Sequence, residues 1–122
     1  MLVFAGCKKD DKKKSQKDYL IAHTWRAEQY FLNGVEQTLD PCEKDDTYSF
    51  ASSGSFTYNN NTKCDPSDLE TISGTWTLDN NVIIINVFGL TQNLTIVSIN
   101  DTRLETTTTD GTDVEKQVFI AQ

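Results

Sequence analysis

The sequence predicts an all-β fold: an antiparallel up-and-down meander that closes into an eight-stranded barrel behind a short N-terminal helical turn. Three observations carry this. From Thr24 onward the apolar residues recur with a period of two, the spacing of a strand with one buried face. The segments are separated by connections mostly too short for parallel crossovers, which need a dozen residues or more. The apolar residues fall mainly on one parity, and a one-faced sheet of this many strands hides its edges best by closing on itself.

Taken in order, residues 8–17 are polar and charged without an apolar period, a solvated linker expected to be disordered. Lys17 to His23 holds one helical turn around Tyr19, Leu20 and Ile21. The strands expected next are Thr24–Leu32, Thr47–Ala51, Ser55–Tyr58, Thr71–Leu78, Val82–Val87, Asn93–Ile99, Arg103–Thr108 and Asp113–Ile120, most of them rich in Thr, Val, Ile and aromatics. Asn33-Gly34, Ser52-Ser53-Gly54, Asp79-Asn80-Asn81, Asn100-Asp101 and Asp110-Gly111 supply turn chemistry between them. Val35 to Asp46 and Asn59 to Asp68 are the longer connections.

Alternation assigns the inward face. Trp25 and Ala27, Tyr48 and Phe50, Phe56 and Tyr58, Ile72, Gly74, Trp76 and Leu78, Leu94 and Ile96, and Val118 and Ile120 each share a parity. Val82–Val87 is apolar on both parities and is expected to be covered on both sides. The inward aromatics Trp25, Tyr48, Phe50, Phe56, Tyr58 and Trp76 are the candidate lining of a small-molecule site.

A chain of 122 residues accommodates one domain and a tail. Its 11 basic and 18 acidic residues give −7; removing the six lysines and three aspartates before Tyr19 leaves 5 against 15, or −10, for the folded part. Such a surface repels nucleic acid and anionic headgroups, so neither is an expected partner. No catalytic constellation is legible: there is one histidine, no Gly-rich phosphate loop, no Ser-centred elbow and no His-Glu helix pair. Asp45 and Asp46, adjacent in an extended chain, would point to opposite faces and could not share a proton. A zinc site fails on numbers, since His23 is about twenty residues from Cys42. Neither Asp40, Asp45 and Asp46 nor Asn59, Asn61, Asp65 and Asp68 has the spacing of a known calcium loop. The expectation is a protein that is no enzyme and carries no metal or cofactor.

Leu2-Val3-Phe4-Ala5-Gly6 before Cys7, with charge from Lys8 to Lys14 after it, resembles the bacterial lipobox. There the signal is cut before a cysteine that takes acyl chains, and two or three chains anchor stably where one does not. A full signal also needs a positive start and an apolar stretch of about 7–15 residues, so the precursor is expected to begin upstream of Met1. The organisation expected is a signal-peptide remnant over 1–6, lipidated Cys7 with its linker over 7–17, and the barrel over 18–122. No other apolar stretch approaches the ~20 residues of a membrane span. In an exported chain Cys42 and Cys64 read as a disulfide, worth about 3 kcal/mol in the chain-entropy model; the alternative is two buried free thiols.

Further residues carry a family resemblance: His23-Thr24-Trp25 after a helical turn, Asn33-Gly34, the acidic cluster Asp40 to Asp46 before Tyr48-Ser49-Phe50, then Gly54, Cys64 and Gly74-Thr75-Trp76-Thr77-Leu78. Together with the charged tract after Cys7, this is similar to the lipocalin-like lipoprotein domains of Bacteroidetes. The resemblance implies an eight-stranded or flattened barrel, lipid-anchored at the outer membrane or cell surface, with no common catalytic residues. Two functions follow. The barrel binds a small apolar or amphipathic molecule, or it is filled and works through its outside as a structural or protein-interaction module of an envelope assembly. Eight strands can just be filled by side chains or hold one small ligand. An enclosed apolar cavity of roughly 300 Å³ or more favours the binder.

Overall fold

The first helix grows from a reciprocal cap. Ser15 Oγ accepts the Asp18 backbone N–H at 3.2 Å, and the Asp18 carboxylate accepts that of Ser15 at 2.9 Å, satisfying two amides that a helix start leaves bare. A helix of seven residues, α1 (Gln16–Ala22), is too short to persist by propensity. Tertiary contact holds it: Leu20 is fully buried in the core, and its carbonyl accepts the Trp25 indole N–H at 3.1 Å. The coordinates are those of a computed structural model in which residues 14–122 are described. Cys7, the segment 1–6 and linker residues 8–13 lie outside the described residues. Among the described residues no helix is long and apolar enough to cross a membrane.

Nine strands follow: β1 (Thr24–Leu32), β2 (Val35–Gln37), β3 (Thr47–Phe50), β4 (Ser55–Asn59), β5 (Thr71–Asp79), β6 (Val82–Val87), β7 (Leu90–Ile99), β8 (Arg103–Asp110) and β9 (Asp113–Ala121). All pairings are antiparallel, and β1 pairs back onto β9 with Trp25 opposite Ala121. Eight strands therefore close the expected barrel. The ninth, β2, lies on the same edge of β1 as β3, pairing near its end while β3 pairs near its start. Between β2 and β3 sits a one-turn helix, α2 (Pro41–Lys44), within the long connection Val35 to Asp46, where neither it nor β2 is expected from the sequence. β7 also begins three residues before its expected start.

Consecutive strands run up and down, so the connections alternate between two ends. At the end where α1 packs, the Asn80-Asn81 turn has two positive φ values, 49° and 72°. At the other end the turns Asn33-Gly34 (51° and 85°) and Phe88-Gly89 (54° and 77°) do the same, the geometry that fits the twist of two-residue hairpins. Phe88 is the exception among them. An aromatic residue there lacks the local hydrogen bonding that lets asparagine visit this region, and its ring is 72% exposed.

The half of the barrel next to α1 is solid. Phe50 packs edge-on against Trp76 at 5.3 Å between ring centroids and tilted against Phe56 at 5.4 Å; Ile83, Ile85, Leu94, Ile96, Leu104 and Phe119 complete the cluster. Gly74 permits this closure. A Cβ there would lie 2.1 Å from the Asn86 carbonyl oxygen and 2.8 Å from Val87 Cγ2.

One parity assignment needs correction, and a bulge adds an inward residue that the alternation does not show. In β9 the inward residues are Phe119, opposite Ala27 and Leu104, and Gln117, opposite buried Thr106, while Val118 and Ile120 face outward. Val118 is nevertheless 2% exposed, lying beside Glu105 and Gln29 in the ladder; long polar side chains cover apolar surface with their stems. In β1 the register shifts between Ala27 and Gln29, a bulge that adds one residue. Beyond it Tyr30 shares the inward row of Gln117 and Thr106.

Candidate functional site

The six aromatics proposed as a lining divide by height in the barrel. Trp25, Phe50, Phe56 and Trp76 are at most 4% exposed and belong to the packed core. They fill the barrel and do not line a cup. Only Tyr48 and Tyr58 reach the space above, where their rings meet edge-on at 5.1 Å.

That space is a half-open cleft of about 430 Å³. Its position follows from the interrupted wall: β3 stops pairing with β1 at Arg26, β2 resumes only at Tyr30, and α2 with its flanks spans the gap. Ala27, Gln29 and Tyr30 of β1 form one side, Glu115 and Gln117 of β9 extend it inside the barrel, and Leu39, Glu43 and Asp46 approach from the α2 segment. This cleft is not the enclosed apolar cavity that would mark a binder of apolar molecules: it is half open, and tyrosine, amide and carboxylate groups outnumber its apolar contacts Ala27 and Leu39.

Asp46 is the best-held acid of the group, 8% exposed. The Tyr58 hydroxyl donates to its carboxylate. The Asn60 amide, turned so that its nitrogen donates, reaches Asp46 Oδ1 at 3.1 Å and the Thr62 carbonyl at 3.2 Å. The Asp46 backbone carbonyl also accepts from Ala27 N at 3.2 Å, tying this corner to β1. Burial raises the Asp46 pKa above the usual carboxylate value; the Tyr58 hydrogen bond opposes this, and the charges of Asp45, Glu43 and Asp68 reinforce it. The phenols respond in kind. Burial, with the Asp46 charge behind it, raises Tyr48 to about 12, and burial followed by the Asp46 hydrogen bond raises Tyr58 further. Desolvation and then the neighbouring Glu115 carboxylate raise Tyr30. All three tyrosines stay protonated at neutral pH, as donors.

The Tyr48 hydroxyl has no hydrogen-bond partner among the described residues, and neither has the buried Thr106 Oγ1. Tyr48 lines the cleft. Thr106 Oγ1, in a residue 1% exposed, sits on the inward face next to Gln117. Orphaned buried hydroxyls are uncommon and call for an explanation.

The disulfide is present: Cys42 bonds Cys64 with Cα atoms 5.3 Å apart, joining α2 to the β4–β5 loop. Its effect is to fix the segment bearing Glu43 against the segment after Asn60, on the cleft side of the barrel. The acids weighed for calcium are engaged otherwise. The Asp45 carboxylate accepts from Thr62 N and its backbone carbonyl from the Asn61 amide, the Asp65 carboxylate accepts from the backbone and hydroxyl of Ser67, and that of Asp68 from Asp65 N. Among the described residues no three His, Cys, Asp or Glu side chains are grouped to hold a metal ion.

A family model described as a lipocalin-like domain matches residues 21–106. The chain belongs to the lipocalin-like domain family. A solved structure of a lipocalin-like protein from Bacteroides uniformis is similar, with 19% identity, a TM-score of 0.63, and coverage of 84% of this chain and 98% of that one. An uncharacterized protein from Bacteroides eggerthii gives 16%, 0.61, 82% and 98%. At these identities the likeness concerns the fold. No curated protein matches the chain.

In this lipocalin-like chain, sequence reasoning found Tyr48 and Tyr58 and missed Tyr30, Gln29, Glu43, Asp46, Glu115 and Gln117 as members of one site. For α2 a signal was there. Asp40, then Pro41, with Glu43 three residues after Asp40, is the start signature of a helix, and Glu43 Oε1 accepts the Asp40 N–H at 2.9 Å. Tyr30 was masked by the bulge.

Proposed function

We propose that this lipocalin-like protein is a non-enzymatic binder of the cell envelope, held at the outer membrane or cell surface by lipid on Cys7, that receives a small amphipathic molecule in the cleft at the open half of its barrel. One observation carries the reading: the half next to α1 is filled, while the other half opens into a cleft of about 430 Å³ whose walls combine tyrosine rings with hydrogen-bonding groups. That volume lies in the usual range for small-molecule sites. It favours an amphipathic ligand over a wholly apolar one, because an apolar molecule would strip water from carboxylates without replacing it.

Saturable binding of a lipid-like fluorescent amphiphile is expected, and Ala27→Trp, which fills the cleft, should abolish it while the circular dichroism spectrum stays that of a β-barrel. A wild-type protein that binds no amphiphile would transfer the case to the second reading, an interaction module acting through its outside. The exposed Phe88 and Leu90 at the β6–β7 turn, 72% and 75% accessible, support that alternative. The anchor is tested separately: a fatty-acid probe should label wild-type cells and not Cys7→Ser.

A further inference from the structure

We infer that the cleft selects a ligand carrying an organic cation, a protonated amine on a short apolar body. This inference rests on the binding reading above. Three carboxylates, Glu43, Asp46 and Glu115, line the cleft, and no lysine, arginine or histidine among the described residues does. An adjoining groove on the other side of Asp46 and Tyr58 adds Asp68, and from Tyr19 onward the chain has 15 acids to 5 bases. An anionic head entering here would meet like charge from several sides.

Acidic charge alone does not make a site; the tyrosine rings and the unpartnered Tyr48 hydroxyl supply the rest. Tyr48 and Tyr58 stand edge-on at 5.1 Å, and Tyr48 also meets Phe119 edge-on at 5.0 Å, so the inner wall is aromatic. Aromatic faces attract cations, and organic ammonium groups most readily because they shed water cheaply. A metal ion fits less well, since no three of the acids converge on one point among the described residues, whereas a single ammonium is satisfied by one carboxylate and an aromatic neighbour. Tyr48 lines the cleft, and its hydroxyl has no protein partner among the described residues. It is a group that a bound molecule's polar atoms could satisfy. Ala27 and Leu39 offer apolar contact for the body.

The test uses three probes of one shape on the purified chain: 4-phenylbutylamine, 4-phenylbutanol and 4-phenylbutyrate, followed by titration calorimetry. The amine should bind about tenfold more tightly than the alcohol, the ratio that roughly 1.4 kcal/mol of cation–aromatic and charge attraction produces, and the butyrate should not bind measurably. Glu115→Gln and Glu43→Gln should each weaken the amine several-fold and leave the alcohol unchanged. If alcohol and amine bind equally, or the butyrate binds best, the cation inference falls and the binding reading stands. If none of the three binds and the fluorescent amphiphile does not either, both fall.

Discussion

Trp76 decides whether the aromatic half of the barrel is a core or a cup. Its side chain is 4% exposed, packs edge-on against Phe50, and donates its indole N–H to the Ala51 carbonyl at 2.9 Å. A buried tryptophan removes up to about 250 Å² from water, which at about 25 cal/mol per Å² amounts to about 6 kcal/mol as an upper bound. A compact denatured state lowers that by roughly 10–40%, and the alanine recovers a little of the area. The lost indole hydrogen bond adds about 1 kcal/mol. Trp76→Ala should therefore cost about 3–5 kcal/mol, the range of large aromatic truncations, against a total stability of about 5–15 kcal/mol for a domain. Urea unfolding followed by fluorescence reads this directly, because the chain has two tryptophans and only buried Trp25 would remain to report. Amine binding, measured without urea on the folded variant, should persist, since Trp76 does not line the cleft. A loss below about 1 kcal/mol, as expected of side chains that leave a cavity unfilled, would refute the packed-core reading, as would a folded variant that no longer binds.

Two further substitutions probe the frame around the cleft. Gly74→Ala places a methyl group 2.1 Å from a backbone oxygen of β6, so the β5–β6 pair must part, and the urea midpoint should drop by the equivalent of about 1–3 kcal/mol; an unmoved midpoint would show that the strands have slack there. The second concerns pH. The folded-state pKa of Asp46 is raised, so between its unfolded value near 4 and its folded value the native state holds the extra proton and stability falls as pH rises. Asp46→Asn keeps an acceptor for the Tyr58 hydroxyl and lets the Asn60 amide turn over to accept. The stability of the variant relative to wild type should therefore improve from pH 4 upward, and a pH-independent difference would contradict the assignment.

What the alternation pattern made legible was the wall and its filling. Trp25, Phe50, Phe56 and Trp76 sit where period two puts them because nothing interrupts β3, β4 or β5, and β1 is regular up to Ala27. Past Ala27 the bulge reverses the count, and no residue type at Glu28 announces it. In β9 the apolar Val118 and Ile120 look inward by hydropathy but face outward by register, since only pairing with Ala27 and Leu104 fixes which side Phe119 takes. The cleft inherits both problems. Its inward members Tyr30, Gln117 and Glu115 are set by long-range pairing, and Glu43 comes from a helix of four residues too short to show periodicity. Phe88 concealed a turn for a related reason: a hairpin tip without asparagine, aspartate or glycine in the first position lacks the usual mark.

The seam between β1 and β9 joins the two ends of the meander. Trp25 lies opposite Ala121, and Gln122 N donates to the Thr24 carbonyl at 2.8 Å, so a contact spanning almost a hundred residues completes the ring. Such a closure couples speed to topology. The strands from β3 to β9 can zip by neighbouring hairpins, but the last seam waits for the longest loop, and chains dominated by such pairings fold slowly. It also makes the starting point of the chain a matter of connectivity. A short linker from residue 122 to residue 24, with new termini opened at the exposed Gly111 turn, would preserve every ladder in the wall while detaching the α1 plug from its covalent place beside β1. A permuted barrel of that kind would show how much of the stability of the filled end belongs to the ring and how much to the helix that stoppers it.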